Sequence, residues 1–339
     1  MSRSGVEAKP IWRSLPVDVR QAAADLLGSS VRRAERVYGG YSPAPTFRLL
    51  LVDGRRAFLK GAGPADNEFA QAALEREARF YAELGGALGS WIPAFYGAVV
   101  CGDWRIVLLE DAGPKSVPPW TPAAARGVAG ALAEYHRAAA DIQLPDWLPR
   151  LESLRAEALL WEKLPATARL ARVALLAGEH VAAAERWLER AIPTLSAAAM
   201  SLMEAPVPHT LLHRDLRSDN LRWSHGRLVL FDWPHAFAGP PEYDLAAFAQ
   251  TVTVEGGIAP ERLVEWYAQR GSLRREVLTA SVATVAAYFA NMAWREELAG
   301  LPRLRMFQRQ QFAVTIAWAA RLLGLPPTDA IWPLVRTSI

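Results

Sequence analysis

Residues 213 to 220 read His-Arg-Asp-Leu-Arg-Ser-Asp-Asn, between Thr-Leu-Leu at 210–212 and the run Leu-Arg-Trp-Ser at 221–224. Asparagine is scarce in this chain: only Asn67, Asn220 and Asn291 occur, and one closes this octapeptide. The segment that follows reads as two strands joined by a two-residue turn at His225-Gly226 and ending at Asp232. A hairpin of that length pairs residue 224 with 227, and so on down to 220 with 231. Asn220 and Asp232 then emerge side by side at its open end, next to the loop that carries Asp215. An amide oxygen and a carboxylate are hard ligands, suited to Mg²⁺.

A second cluster lies near the N-terminus. The segment Gly-Gly-Tyr-Ser-Pro-Ala-Pro at 39–45 enters a strand, and Lys60 is one of only four lysines, with Lys9, Lys115 and Lys163. Reading residues 46–61 as a hairpin turning at Asp53-Gly54 puts Lys60 opposite Phe47, close to the glycine-rich segment. Backbone N–H groups there, around Gly40 and Ser42, can meet phosphate oxygens with a lysine beside them. A helix at 67–86 offers Glu75 and Glu77 as partners for the ammonium. Each signal alone is weak. Their order is glycine loop, lysine, helix glutamate, H-x-D-x-x-x-x-N, then an aspartate after the next strand, which is the order of parts for phosphoryl transfer from ATP.

Strand and helix signals alternate in the first third of the chain. A helix ends at Gly28, the hairpin and helix just described follow, and a second strand pair splits near Gly102-Asp103. Residues 111–120 form a Pro/Gly-rich linker. Helices then dominate, at roughly 121–140, 151–164, 180–204, 243–254, 260–270, 274–298 and 303–324.

A chain of 339 residues is long for one core, so two lobes are expected. Its composition, 51% hydrophobic and 22% charged, is that of an ordinary globular protein. The net charge of +3 is spread without runs of one sign, which argues against a nucleic-acid surface. Cys101 is the only cysteine, which excludes an intrachain disulfide and a cysteine-based zinc site. His136, His180, His209, His225 and His235 show no ligand spacing. The start lacks the apolar core of a signal peptide, and the longest uncharged run, 277–294, is diluted by Ser, Thr and Asn. A cytoplasmic protein without membrane spans is expected; the sequence says nothing of oligomeric state.

Three segments carry a family resemblance. "GYSPAPTFRL" is similar to a G-x-S-P-A/G loop, "HRDLRSDN" to H-x-D-x-x-x-x-N, and "FDWPHAFAGPPEYDLAAF" to I-D-W-x-x-A-x-x-G-P-x-x-D-L-A. Together they resemble the aminoglycoside phosphotransferase and choline kinase family, relatives of protein kinases, over about residues 37–250. The resemblance implies an α+β, two-lobe protein-kinase-like fold. A small N-terminal lobe with an antiparallel sheet, 1–111, would bind nucleotide. A larger, mainly helical lobe, 112–339, would hold the catalytic loop and the acceptor.

It also implies ATP and Mg²⁺ as cofactors and a hydroxyl of a small molecule as acceptor: an antibiotic, a sugar or an amino alcohol. Asp215 would accept or orient the hydroxyl proton, and Asn220 and Asp232 would hold the metal. Lys60 would contact the α- and β-phosphates and pair with Glu77, while Gly40, Ser42 and neighbouring amides cover the phosphates. Backbone groups of Glu110 and Ala112 would face adenine. His213 and Asp244 would brace the catalytic loop as supports.

The chain also departs from the pattern. Pro234 stands where the family often has an acidic residue, so one or two metal ions remain open. Arg217 reads either as a clamp on the transferred phosphoryl group or as a partner of Asp219. Asp244 follows Asp232 by only twelve positions, too few for the activation segment of a protein kinase. A nucleotide-binding scaffold without activity is the other alternative, against which the intact Lys60, Asp215, Asn220 and Asp232 argue. In the tail, Arg295, Arg303, Arg305, Arg309, Arg321 and Arg336 outnumber Glu296, Glu297 and Asp329, which disfavours a strongly cationic acceptor.

Overall fold

A computed structural model describes residues 9–38, 44–64, 66, 68–165 and 168–334. Helix α1 (Val17–Leu27) stops where Gly28 takes the left-handed φ of 64°. Strand β1 (Val31–Arg36) follows, then β2 (Thr46–Leu51), β3 (Arg56–Ala62), helix α2 (Glu68–Leu88), β4 (Phe95–Cys101) and β5 (Trp104–Glu110). These five strands form one antiparallel sheet in the order β1-β2-β3-β5-β4. The sequence VRRAER of β1 is too polar to announce a strand, and its burial is that of an edge.

Alternation decides the geometry of the first hairpin. Phe47, Leu49 and Leu51 of β2 and Ala57 and Leu59 of β3 are all buried, and they pack with Leu15, Val19, Ala23 and Leu27 against one face of the sheet. Opposed residues share a face, so odd positions must pair with odd ones. A two-residue turn pairs odd with even and cannot satisfy this. The hairpin instead closes with three residues, 52–54, where the Leu51 N–H reaches the Arg55 carbonyl and Gly54 stands at φ 88°. Lys60 therefore faces Thr46, not Phe47 as the two-residue turn implies.

Helix α2 runs through Gly85 and Gly86 to Leu88, two residues past the expected end, because Leu84 and Leu88 continue its buried stripe. Leu74, Glu77, Tyr81, Leu84 and Leu88 lie on that stripe at helical spacing, so one carboxylate sits among apolar residues.

The remaining chain is mainly helical, with α3 (Pro122–Ala139) first. The helix expected over 151–164 is broken into a 3₁₀ turn and two one-turn pieces, α4 (Arg155–Ala158) and α5 (Leu160–Lys163). A short helix α6 (Arg169–Leu175) and a long one, α7 (Val181–Ser201), follow. Strand β6 (Thr210–Leu212) leads into the octapeptide, β7 (Leu221–Ser224) and β8 (Arg227–Leu230) form the expected hairpin, and β9 (Phe237–Gly239) pairs back on β6. Helices α8 (Pro241–Val254), α9 (Pro260–Ala268), α10 (Arg275–Met292) and α11 (Leu304–Leu322) complete the chain. Buried on nearly every side, α10 packs against α7, α8 and α11, which accounts for the uncharged run that begins at Val277.

Two compact units result. The hairpin segment Asp219–His235 and Leu298–Arg303 belong with the chain up to Ser116. The other unit comprises Val117–Ser218, Ala236–Glu297 and the chain from Leu304 on. The fold class is α+β as expected, a five-stranded antiparallel sheet in a small N-terminal part and a mainly helical C-terminal part. Among the described residues no helix is long and apolar enough to cross a membrane.

Two glycines of the small unit carry opposite expectations. Gly54→Ala forces a side chain onto a left-handed backbone and lowers stability by about 1 kcal/mol. Exposed Gly86, helical with open space around it, gains roughly 0.5–1 kcal/mol on substitution by Ala. Urea midpoints at unchanged slope would register both.

Candidate functional site

In the small unit the site is built around Lys60. Strand alternation sends Leu59 into the apolar layer with α1 and Lys60 to the opposite face. There the Lys60 Nζ donates to Glu77 Oε2 at 2.5 Å and to Asp232 Oδ1 at 2.6 Å. Burial works to lower the lysine pKa, but the two carboxylates outweigh it and hold the ammonium above the ordinary lysine range. Glu77 is 1% exposed; burial pushes its carboxyl up, against the pull of Lys60. Its competitor Glu75 lies two residues away on α2, some 200° around the helix, and pairs with Arg105 instead. The buried stripe on α2 is the sequence signal that separates the two.

Asp232 reaches Lys60 from the end of the β7–β8 hairpin. The turn is as expected, with His225 and Gly226 both left-handed and Ser224 paired with Arg227. The Phe231 N–H donates to the Asn220 carbonyl at 3.1 Å, so the ladder runs to the open end and Asn220 is buried there. Asp232 itself stands at φ 73°, a left-handed conformation uncommon outside glycine. The next residue fixes it: Trp233 stacks on Phe80 at 4.4 Å, and its N–H points to Glu77 Oε1 at 3.4 Å.

The metal question turns on donor chemistry. With Lys60, Glu77 and Asp232 all ionised, the cluster carries one positive and two negative charges. Among the described residues no group of three or more His, Cys, Asp or Glu side chains is arranged to hold a metal ion. What Asn220 and Asp232 offer is one amide and one carboxylate. That set fits Mg²⁺, which keeps waters and shares itself with substrate phosphates, and does not fit a zinc site.

The connector after β5 is held just as firmly. The Glu110 N–H donates to the Ala94 carbonyl at 2.8 Å. Asp111 Oδ1 accepts the Gly113 N–H at 3.0 Å and also holds Arg48 at 3.2 Å. Arg48 and the buried Arg222 both donate to the Gly113 carbonyl, so the turn containing Ala112 is fixed from two sides. Burial and then the nearby Arg48 push the Arg222 guanidinium down to about 10. Gly40 and Ser42 lie outside the described residues.

In the larger unit the octapeptide is anchored by Asp244. This carboxylate, in the first turn of α8 and fully buried, accepts the backbone N–H groups of His213 and Arg214 at 2.7 Å each. Arg214 stands at φ 69° and is locked by its side chain as well. Its guanidinium pairs with Glu157 and lies over the Phe237 ring, while Glu157 accepts the Tyr243 hydroxyl at 3.1 Å. The His213 ring is buried, and its Nδ1 accepts the Asp215 N–H at 3.3 Å. Further along, Ser218 donates to Glu255 at 2.5 Å, and Glu255 also accepts the Trp120 indole N–H.

Asp215 Oδ1 lies 3.2 Å from Arg217 Nη1. That contact gives Arg217 a partner that neither sequence reading named. Glu157, Tyr243 and Glu255 were not foreseen either. Tyr243 neighbours Asp244 within a recognisable motif, but nothing local marks the two glutamates as part of the loop's support.

A model of the phosphotransferase enzyme family matches residues 33–278. No curated protein sequence matches the chain significantly. Solved structures share its fold at low identity. A spectinomycin phosphotransferase, APH(9)-Ia, in complex with ADP and spectinomycin superposes with a TM-score of 0.58 at 15% identity, covering 89% of this chain and 98% of that one. A thermostable mutant of aminoglycoside phosphotransferase APH(4)-Ia, bound to ADP and hygromycin B, gives 0.56 at 14% identity over 91% and 98%. Amicoumacin kinase hAmiN in complex with AMP-PNP, Ca²⁺ and Ami gives 0.53 at 12% over 87% and 92%.

Removing the central cation tests the cluster. Lys60→Met leaves Glu77 buried without its partner and costs about 3–5 kcal/mol; adding Glu77→Gln recovers a large part in a double-mutant cycle by urea unfolding. Since Lys60 has a folded pKa above its unfolded one, its contribution is complete below about pH 10.4. The penalty of Lys60→Met therefore shrinks as the pH is raised beyond that point.

Proposed function

The chain belongs to the phosphotransferase enzyme family, and from that premise we propose that it is an ATP- and Mg²⁺-dependent kinase acting on a hydroxyl of a small molecule. The observation that carries this reading is the Lys60 ammonium held between Glu77 and Asp232. An ammonium oriented by a helix glutamate is placed to receive the α- and β-phosphates of ATP. Asn220 and Asp232 would hold Mg²⁺, which supplies positive charge to the phosphate oxygens. The backbone of Glu110 and Ala112, on the fixed connector, would receive adenine, and Gly40 and Ser42 would cover the phosphates.

The transfer is written as one in-line displacement. The acceptor oxygen forms a bond to the γ-phosphorus while the bond from that phosphorus to the β,γ-bridging oxygen breaks. ADP leaves with the electron pair, and the hydroxyl proton passes to the Asp215 carboxylate. Arg217, ion-paired to Asp215, orients that carboxylate and can turn towards the transferred group. His213 and Asp244 act on neither substrate; their hydrogen bonds support the loop backbone. The short distance in sequence from Asp232 to Asp244 favours a small acceptor over a protein.

Asp215→Asn is expected to lower kcat by roughly 10²–10⁴-fold while AMP-PNP binding, followed by calorimetry, changes less than about threefold. Full turnover in this variant would remove the base role. Asn220→Ala and Asp232→Asn should each raise the Mg²⁺ concentration needed for half-maximal ADP release, with Asp232→Asn the more severe because it removes a charge.

A further inference from the structure

One cluster in the larger unit is used by nothing above. Tyr288, Asn291 and Arg295 follow one another at spacings of three and four and lie along one face of α10 and its extension. At the far end of that face two guanidinium groups stand together. Arg305, in the first turn of α11, is 4% exposed; its Nε donates to the Glu296 carbonyl at 2.8 Å and its Nη1 to Gln308 Oε1 at 2.7 Å. Arg295 is exposed and donates from Nε to the Asn291 carbonyl at 3.1 Å. Among the described residues neither arginine is ion-paired with a carboxylate, although the protein pairs Arg214, Arg274 and Arg48 with acids.

A buried cation normally has its counter-charge, because desolvation is costly and a second cation adds repulsion. Burial, and then Arg295, do lower the pKa of Arg305 below the ordinary arginine value. Holding the Asn291 carbonyl at the end of α10 and the Glu296 carbonyl beyond it accounts for one nitrogen of each guanidinium. It accounts neither for the pairing of two cations nor for Asn291. The Asn291 side-chain oxygen, on a residue 8% exposed, has no hydrogen-bond partner in the protein. An acceptor atom of that kind is satisfied by an incoming O–H.

The same face leads to the proposed base. Burial pushes the Tyr288 phenol up, and the charges of Asp215 and Glu157 add to this, opposed by Arg214 and Arg217. Tyr288 is also among the groups whose charge bears on Arg305. The helix α10 also packs on α4 and α8, whose Glu157 and Asp244 hold Arg214, the residue before Asp215, and the seven residues from Tyr288 to Arg295 span about 10 Å at helical rise, the length of a small polyol.

We propose that the acceptor is a hydroxylated organic acid, whose carboxylate pairs with Arg295 and Arg305 and whose further hydroxyl donates to Asn291, while the hydroxyl to be phosphorylated meets Asp215. This rests on the kinase reading above and narrows it. A planar carboxylate suits two guanidinium forks, and a polycationic aminoglycoside would meet repulsion at the same place.

Acceptor-dependent ADP release with Mg-ATP separates the possibilities. Three matched panels are used: sugar acids and hydroxy acids; neutral sugars and polyols; amino sugars, amino alcohols and aminoglycosides. The highest kcat/KM is expected in the acid panel. For the best acid, Arg295→Gln should raise KM at least tenfold, more than it lowers kcat, leave the KM for ATP unchanged, and be partly restored in Arg295→Lys. Arg305→Gln should act in the same direction; since that side chain is buried and the variant can misfold, the exposed Arg295 carries the test. A best acceptor that is neutral or cationic overturns the inference and leaves the kinase reading standing. So does an Arg295→Gln enzyme with a lower melting temperature and an unaltered KM, the result expected of a helix cap alone. No acceptor-dependent ADP release with any panel overturns both.

Discussion

An ammonium group cannot be withdrawn from water unless negative charge goes with it, and in this protein that requirement organises the whole small unit. Lys60 needs two carboxylates, and they come from different elements: Glu77 from the stripe of α2 that is otherwise apolar, Asp232 from the end of the β7–β8 hairpin. The sheet must present Lys60 on the face away from α1, α2 must cross that face, and the hairpin must join the N-terminal chain despite its distance in sequence. Glu77 does double service, since the Trp233 N–H also points to it and so steadies the backbone beside Asp232. The cluster with all groups ionised is one negative charge in excess.

The larger unit solves a different problem with the same kind of device. Two consecutive N–H groups, those of His213 and Arg214, point inward where no strand can receive them, and Asp244 accepts both. Left-handed backbone at a non-glycine residue costs on the order of 1–2 kcal/mol. Apart from the turn residue His225, it occurs among the described residues at Arg214 and at Asp232, one in each unit, and in both cases a buried carboxylate and an aromatic ring hold the segment in place. Strain of this kind persists where the surroundings over-determine it, and both instances fall beside residues of the proposed chemistry.

Much of this was legible in the sequence, for identifiable reasons. The β7–β8 register followed from its two-residue turn, because His225-Gly226 accepts the left-handed angles that such a turn demands. The helical part followed from periodicity, although the segment at 151–164 is broken into short pieces while Leu151, Leu154, Ala158 and Trp161 keep the helical spacing that the expectation rested on. Strand β1 escaped because an edge strand needs little apolar sequence. Glu157 and Glu255 escaped because they reach the loop through tertiary packing, and no local rule links them to residues so far along the chain. The residues alone offered Glu75 and Glu77 alike and the resemblance named Glu77, although the leucine and tyrosine stripe around position 77 contained the same answer.

The three-residue connection at 52–54 sets a rule for how this hairpin can change. Every side chain of β2 and β3 that packs in the core with α1 is at an odd position, and only a connection with an odd number of residues keeps them together on one side. Losing or gaining a single residue there would turn one strand over, bringing the Lys60 ammonium onto the side of Phe47 or driving Phe47 into solvent. Length variation at this tip among descendants of the chain is therefore confined to steps of two, however loose and exposed the tip itself is.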